Sequence, residues 1–224
     1  MTREQLQELT EASKLTGECS ELYRSGKSGE AITPARRALA IREEVLGPKH
    51  LDTAASLNNL AALLQDRGDY PASRLFLQKA LAIHEEVLGP KHPETASSLH
   101  HLASAVSDQG DYAAAKSLYG RALAIRKEVL GEAHSDYTST LNRLADTLGE
   151  LSHSHAERED FAAATTASRE AVAILMNHYG ESHWKVTDAR LALGFVERRA
   201  GMTREQRQRI ADAYRLDREV SDLN

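Results

Sequence analysis

Three pairs of polar residues recur at one interval in this chain: Asn58-Asn59, His100-His101 and Asn142-Arg143 stand 42 residues apart. A side-chain amide donates and accepts at once, so it can pair with the backbone of an extended peptide whatever that peptide's side chains are. The histidine pair adds groups that titrate near neutrality, which makes binding at that place pH-sensitive. Asp66 and Asp108, also 42 apart, add carboxylates about two helical turns beyond the first two pairs.

Other reactive types are spaced in ways that argue against chemistry. His50, His92, His134 and His183 occur once per repeating unit, on successive loops, so they cannot converge on one ion; they read as loop or helix-start hydrogen-bonding groups. His153 and His155 lie in Ser-His-Ser-His with no Cys or third His nearby, which is too few ligands for a zinc site. Gly26-Lys27-Ser28 has the end of a phosphate loop but lacks the upstream glycine, and it joins two helices rather than a strand and a helix. Cys19 falls at the position of Ala61 and Ala103, so it reads as a small core residue rather than a reactive thiol. Trp184 reads as packed against the final hairpin. Nucleophile, base and orienter nowhere come together. The expectation is a protein that is not an enzyme and that holds no metal and no cofactor.

The elements that must position the polar pairs follow from a repeat. Gly47 to Leu88 and Gly89 to Leu130 align without a gap, and 22 of their 42 positions are identical. Each copy reads as helix A, a Gly-Asp-Tyr turn and helix B, a helical hairpin stacked in series. In helix A, Leu57, Leu60, Ala61 and Leu64 follow the i, i+3, i+4, i+7 spacing of one packed stripe. Helix B is expected to pack through Ala72, Leu75, Leu77, Ala80, Leu81 and Ile83. Gly89 suits a left-handed helix end, and Pro90 prevents continuation.

The repeats fall at about 1–46, 47–88, 89–130, 131–179 and 180–224, a single solenoid over 1–224. The first is degenerate: its leading helix looks loosened at Thr16-Gly17, Pro34 is a misfit inside its second helix, and Ser28 replaces the turn tyrosine. In the fourth, His134 and His183 are 49 apart. Seven extra residues, placed near Ser152 to Arg158, are expected to lengthen the turn. The fifth leaves two registers open, one set by Thr187 and Leu191, the other by Gly201. A last helix is expected over about Thr203 to Leu223. Its segment Met202 to Leu223 matches Met1 to Leu22 at 11 of 22 positions, so the chain reads as one period of a longer array with residues 203–224 as a terminal cap.

Leu57, Leu60, Ala61, Leu64, Gly68, Tyr70, Ala80 and Leu81 resemble the tetratricopeptide repeat, a helix pair of about 34 residues. The longer period, with Ala-Leu-Ala-Ile, Glu-Glu-Val-Leu-Gly-Pro-Lys-His and Ser-Leu-Asn-Asn-Leu-Ala, resembles the 42-residue variant of kinesin light chains. The segment from Tyr179 to Leu193 is similar to arrays of bacterial signalling proteins that precede caspase-like CHAT or nucleotide-binding domains. The resemblance implies an all-α superhelix of about five helix pairs, with helices A on the concave side.

On such an array, at about 100° per residue, Ala55, Asn58, Asn59, Ala62 and Asp66 point into the groove when the leucine stripe is packed. The equivalent sets are Ser97, His100, His101, Ser104 and Asp108, then Ser139, Asn142, Arg143, Asp146 and Glu150. The resemblance implies a peptide or protein partner held there, as kinesin light chains use groove asparagines for cargo peptides. The alternative is an oligomerisation or regulatory spacer module for a catalytic domain elsewhere, with self-association through the array ends.

Composition agrees with a protein partner. The formal net charge is −5 from 28 basic and 33 acidic residues, which gives no electrostatic reason to expect nucleic acid or an anionic membrane. The arginines from Arg198 to Arg218 alternate with Glu197, Glu205, Asp212, Asp217 and Glu219, the pattern of a solvated helix face. One cysteine excludes an intramolecular disulfide, and no apolar run is long enough to span a bilayer. A cytoplasmic location is expected.

Overall fold

The computed structural model describes residues 1–210 and 212. The chain divides into two compact units, Met1–Leu144 and Ala145–Asn224. All regular structure among the described residues is helical. The elements are α1 (Arg3–Arg24), α2 (Ser28–Val45), α3 (Leu51–Asp66), α4 (Tyr70–Val87), α5 (Pro93–Asp108), α6 (Tyr112–Leu130), α7 (Ser135–Glu157), α8 (Phe161–Tyr179) and α9 (Trp184–Ala200). No helix among them is long and apolar enough to cross a membrane.

The repeated residues set the helix ends. His50, His92 and His183 are the N-caps of α3, α5 and α9, where each Nδ1 accepts the amide two residues on at 3.1–3.2 Å. His134 does the same for Asp136 at the start of α7. Helices B after the first repeat start on aspartate: Asp69, Asp111 and Asp160 accept from Ala72, Ala114 and Ala163, each satisfying an amide the first turn leaves open; α2 starts on Lys27 without a side-chain cap. Gly47 and Gly89 take φ of +93° and +94°, ending α2 and α4 in a conformation only glycine adopts without cost.

In the first unit the hairpins α1–α2, α3–α4 and α5–α6 pack in sequence. One apolar cluster joins Cys19, Ala31, Ala35, Leu39, Leu57, Leu60, Leu63, Leu64 and Ala80. α3 and α5 each bury two faces, one on the partner helix of the same hairpin and one on the preceding hairpin, so α3 hides Leu63 and Ser56 as well as the leucine stripe. Polar bonds recur where helix B meets the next helix A. The Arg42 guanidinium donates to Ser56 Oγ, His84 Nδ1 lies 2.6 Å from Ser98 Oγ, and the Arg126 guanidinium donates to Thr140 Oγ1.

In the second unit Ala156, Ala164 and Val196 form the core with Phe161. Ser152 Oγ donates to the Ala164 carbonyl at 2.8 Å and meets Ser168 Oγ at 2.7 Å.

The structure departs from the sequence expectations at several places. α1 runs unbroken through Thr16-Gly17, with Thr16 Oγ1 bonded to the Ala12 carbonyl. Pro34 lies buried inside α2 without ending it. Leu75 is 61% exposed rather than packed, because it falls on the side of α4 that meets no neighbour. Trp184 is 63% exposed: it is the first residue of α9, where its ring lies 5.8 Å from the His183 ring and 5.5 Å from Lys185 Nζ.

The inserted residues do not lengthen the turn. They extend α7 to 23 residues, and the turn after it stays short, with Glu159 at φ +61° where Gly68 and Gly110 stand in other repeats. Seven residues are two helical turns to within about 20°, so the buried face keeps its direction. α9 takes the register set by Gly201, in which His183 stands where His50 does, and Gly201 ends it with an ordinary φ of −78°. Residues 204–210 are helical. Thr203 and Gln206 exchange the same pair of hydrogen bonds as Thr2 and Gln5. The remainder of the expected last helix, including Arg215, Arg218 and the match to Leu22, lies outside the described residues.

Candidate functional site

The polar pairs lie on α3, α5 and α7, and their two members are not equivalent. Asn59, His101 and Arg143 are exposed, whereas Asn58, His100 and Asn142 are half-buried. On α3 the outward stripe is Asp52, Ala55, Asn59, Ala62 and Asp66, all exposed. Asn58 lies at its edge with Oδ1 buried and without a hydrogen-bond partner.

Beside Asn59 is a cleft of about 280 Å³ between α1 and α3, lined by Cys19, Ser20, Tyr23, Arg24, Asn59, Ala62 and Leu63. Tyr23 supplies an exposed ring, Arg24 a cation and Asn59 an amide, with Ala62 leaving room for a backbone to approach. The sequence reading missed Tyr23 and Arg24. Arg24 stands 42 residues before Asp66, which is the signal that places it on the same stripe.

Asp66 and Asp108 are held by neighbouring repeats. Asp66 accepts from Ser28 Oγ at 3.1 Å, and Asp108 accepts from Gln65 Nε2 at 3.3 Å. These bonds tie hairpin to hairpin at the edge of the stripe.

His100 contributes to packing more than to an open surface. Its ring edge meets Tyr119 at 5.3 Å, and Nδ1 lies 3.2 Å from Thr140 Oγ1. Burial, then the Arg126 cation, then His101 and Arg143, lower its pKa to about 4. Crowding of the His101 ring by protein, followed by Arg126, lowers that group as well. The pair is therefore neutral at neutral pH, and the pH dependence it suggested moves to the acid side. Arg126, 6% exposed, was not singled out from sequence. Its guanidinium donates to the Asp136 carbonyl and to Ser97 and Thr140, while its Nε is buried without a partner.

The register of α9 places Leu191, Ala192 and Phe195 at the positions of Asn58, Asn59 and Ala62. Leu191 is 65% and Phe195 48% exposed, so the equivalent face of the second unit is apolar. Arg199, at the position of Asp66, pairs with Glu157 at 3.4 Å. Among the described residues no group of three or more His, Cys, Asp or Glu side chains is placed to hold a metal ion. Cys19 is buried, and burial raises its thiol pKa.

The tetratricopeptide repeat model matches residues 22–86 and 59–128. Two crystal structures of a kinesin-light-chain-type protein of Podosopora anserina with nearly identical TPR-like repeats, one of them a point variant, match the chain with TM-scores of 0.65. Sequence identities are 19% and 20%, over 96% and 95% of this chain and 98% and 97% of theirs. No curated protein matches the chain in sequence. Stacked hairpins closed by repeated histidine and aspartate caps thus coincide with the family model over residues 22–128 and with the fold of these structures. Residues 22–128 are tetratricopeptide repeats, and the chain has the all-α helix-pair fold of these structures.

Proposed function

We propose that this chain is a protein-interaction scaffold that holds an extended peptide or protein segment along the outward stripe of its helices A. Tetratricopeptide repeats are scaffolds for protein partners, and their stacked hairpins offer extended binding surfaces. The observation that carries the reading is the exposed series Asn59, His101 and Arg143 beside the cleft lined by Tyr23 and Arg24. It presents an amide, a neutral imidazole and a cation in turn, with small residues between them. Asn58, His100 and Asn142 support the rungs from the edge, and Asp66 and Asp108 fix the spacing of the hairpins. In this proposal the array is one repeat domain over residues 1–224 that acts in the cytoplasm, where the buried thiol of Cys19 stays reduced.

Affinity purification with the full chain, followed by mass spectrometry, identifies the partner. The Asn59→Ala/Arg143→Ala double variant, altered only at exposed positions, should retain the helical circular dichroism signal and lose at least roughly tenfold in affinity, the scale of one charge-assisted and one neutral hydrogen bond. Equal capture by the variant and the parent chain would sink the reading.

A second reading is favoured by the repeated helix start, Thr2–Gln5 and Thr203–Gln206, which gives the array the same opening residues at a 201-residue interval. There the module assembles end to end, or spaces a catalytic domain of the CHAT or nucleotide-binding kind. Concentration-dependent light scattering is its measurement, and a strictly monomeric chain counts against self-association.

A further inference from the structure

The second unit carries a cleft that the peptide reading leaves unused. It measures about 290 Å³ and is lined by Phe195, Met202, Ile210, Arg198, Arg199, Arg207 and Glu157. That volume is near the bottom of the range that encloses small molecules, so the cleft takes one or two side chains rather than a cofactor. Its floor is apolar: Phe195 is exposed at the rim with Ile210, and Met202 is half-buried between them. Leu191, one turn before Phe195, continues the apolar row along α9.

The rim is cationic and incompletely matched. Arg199 is paired with Glu157 and stacks near Phe161 and Phe195. Arg207 lies 3.5 Å from Glu159, 4.9 Å over the Phe161 ring, with its Nε buried and without a hydrogen-bond partner. Arg198 has neither an ion pair nor a hydrogen bond among the described residues. Arg207 also donates to the Arg199 and Met202 carbonyls, so Arg198 is the rim cation left for an acidic group.

We infer that this cleft is a docking site for an acidic amphipathic helix of a partner protein. Leu191, Phe195 and Arg198 stand at i, i+4 and i+7 on one face of α9. That spacing meets the i, i+3, i+4 apolar anchors of a helix laid against it. The anchors fill the gap between α9 and residues 204–210, and acidic residues on the partner's flank meet Arg198. The ligand is separate from the peptide proposed for the first unit.

The test is fluorescence anisotropy on the full chain with three fluorescein-labelled, C-amidated 14-residue peptides. The first is a helix-forming sequence with Leu at i, i+3, i+4 and i+7 and Glu on both flanks. The second is a scramble of equal composition, and the third has Lys in place of Glu. The acidic helix should bind saturably and at least roughly tenfold tighter than either control, the scale of one charged hydrogen bond. Phe195→Asp should abolish binding, and Arg198→Glu should transfer preference to the Lys peptide. Both residues are exposed, so circular dichroism and the melting temperature should not move. Asn59→Ala/Arg143→Ala should bind the probe like the parent, which separates this site from the first unit's.

Absence of saturable binding, equal binding of the scramble, or loss in the Asn59→Ala/Arg143→Ala variant would each overturn the inference. So would self-association of the chain that Phe195→Asp abolishes, because the occupant would then be a second copy.

Discussion

At the residue scale the informative positions are those where copies of the repeat differ at a buried place. Arg42, His84 and Arg126 follow the same Ala-Leu-Ala-Ile motif, and each reaches a hydroxyl fourteen residues later. Motif spacing puts them in one column, but the 3.6-residue pattern marks them as polar and hence exposed. That rule fails for long side chains whose heads are bonded under the next helix. Arg126 is the most committed of the three, with three acceptors and little exposure. Arg126→Ala should lower the unfolding free energy by about 2–4 kcal/mol through lost hydrogen bonds and packing, read from urea denaturation; a loss under about 1 kcal/mol would assign it the weight of a surface group.

His84, which is buried, and His100, which is half-buried, give a pH test with a defined sign. Burial lowers the pKa of His84 and of His100, the latter to about 4. For His84, Glu94 opposes the shift and His92 adds to it. As pH falls below the unfolded value of about 6.5, the unfolded chain takes up protons that the folded chain refuses, so stability drops. The loss through His100 ends near pH 4, where the folded state protonates too. The urea midpoint should therefore be flat above pH 7 and decline between about 6.5 and 4. His100→Asn should shallow that decline, and an unchanged slope would show that His100 does not contribute to it.

At the element scale most helices were legible because caps and turns repeat. His50, His92 and His183, Asp69 and Asp111, and Gly47 and Gly89 mark each boundary by type and interval. The packed stripe of α3 was legible for the same reason, and its outward stripe followed. Leu63 and Leu75 were not, since a helix with neighbours on two sides buries an arc wider than one stripe, while an outer position stays bare whatever residue fills it. The α7 extension was hidden by its composition: Ser-His-Ser-His looks like a loop, yet two added turns preserve the packed face. The short turn that follows leaves Glu159 at positive φ. An L-residue there costs about 1–2 kcal/mol, less glycine's own entropy on folding and the contribution of the half-exposed Glu159 paired with Arg207. Glu159→Gly should raise stability by about 0.5–1 kcal/mol, seen as a higher urea midpoint, and a lower midpoint would mean that the pair outweighs the backbone.

At the scale of the molecule, hairpins coupled through nearest-neighbour interfaces unfold together only while each interface is strong. His84 tests that condition in the first unit, because it is buried between α4 and α5 and bonds Ser98 without belonging to the interior of either hairpin. His84→Ala removes the polar bond and leaves a cavity at the seam, while the leucine contacts inside α3–α4 and α5–α6 stay intact. The expected result is a broadened transition: the urea m-value falls as the hairpins on the two sides of the seam begin to unfold separately. His84→Arg installs the side chain that the flanking seams use at Arg42 and Arg126, and it should restore a steep transition. If His84→Ala instead shifts the midpoint in parallel with an unchanged m-value, the seam is redundant. Cooperativity in the first unit would then rest on its apolar contacts alone.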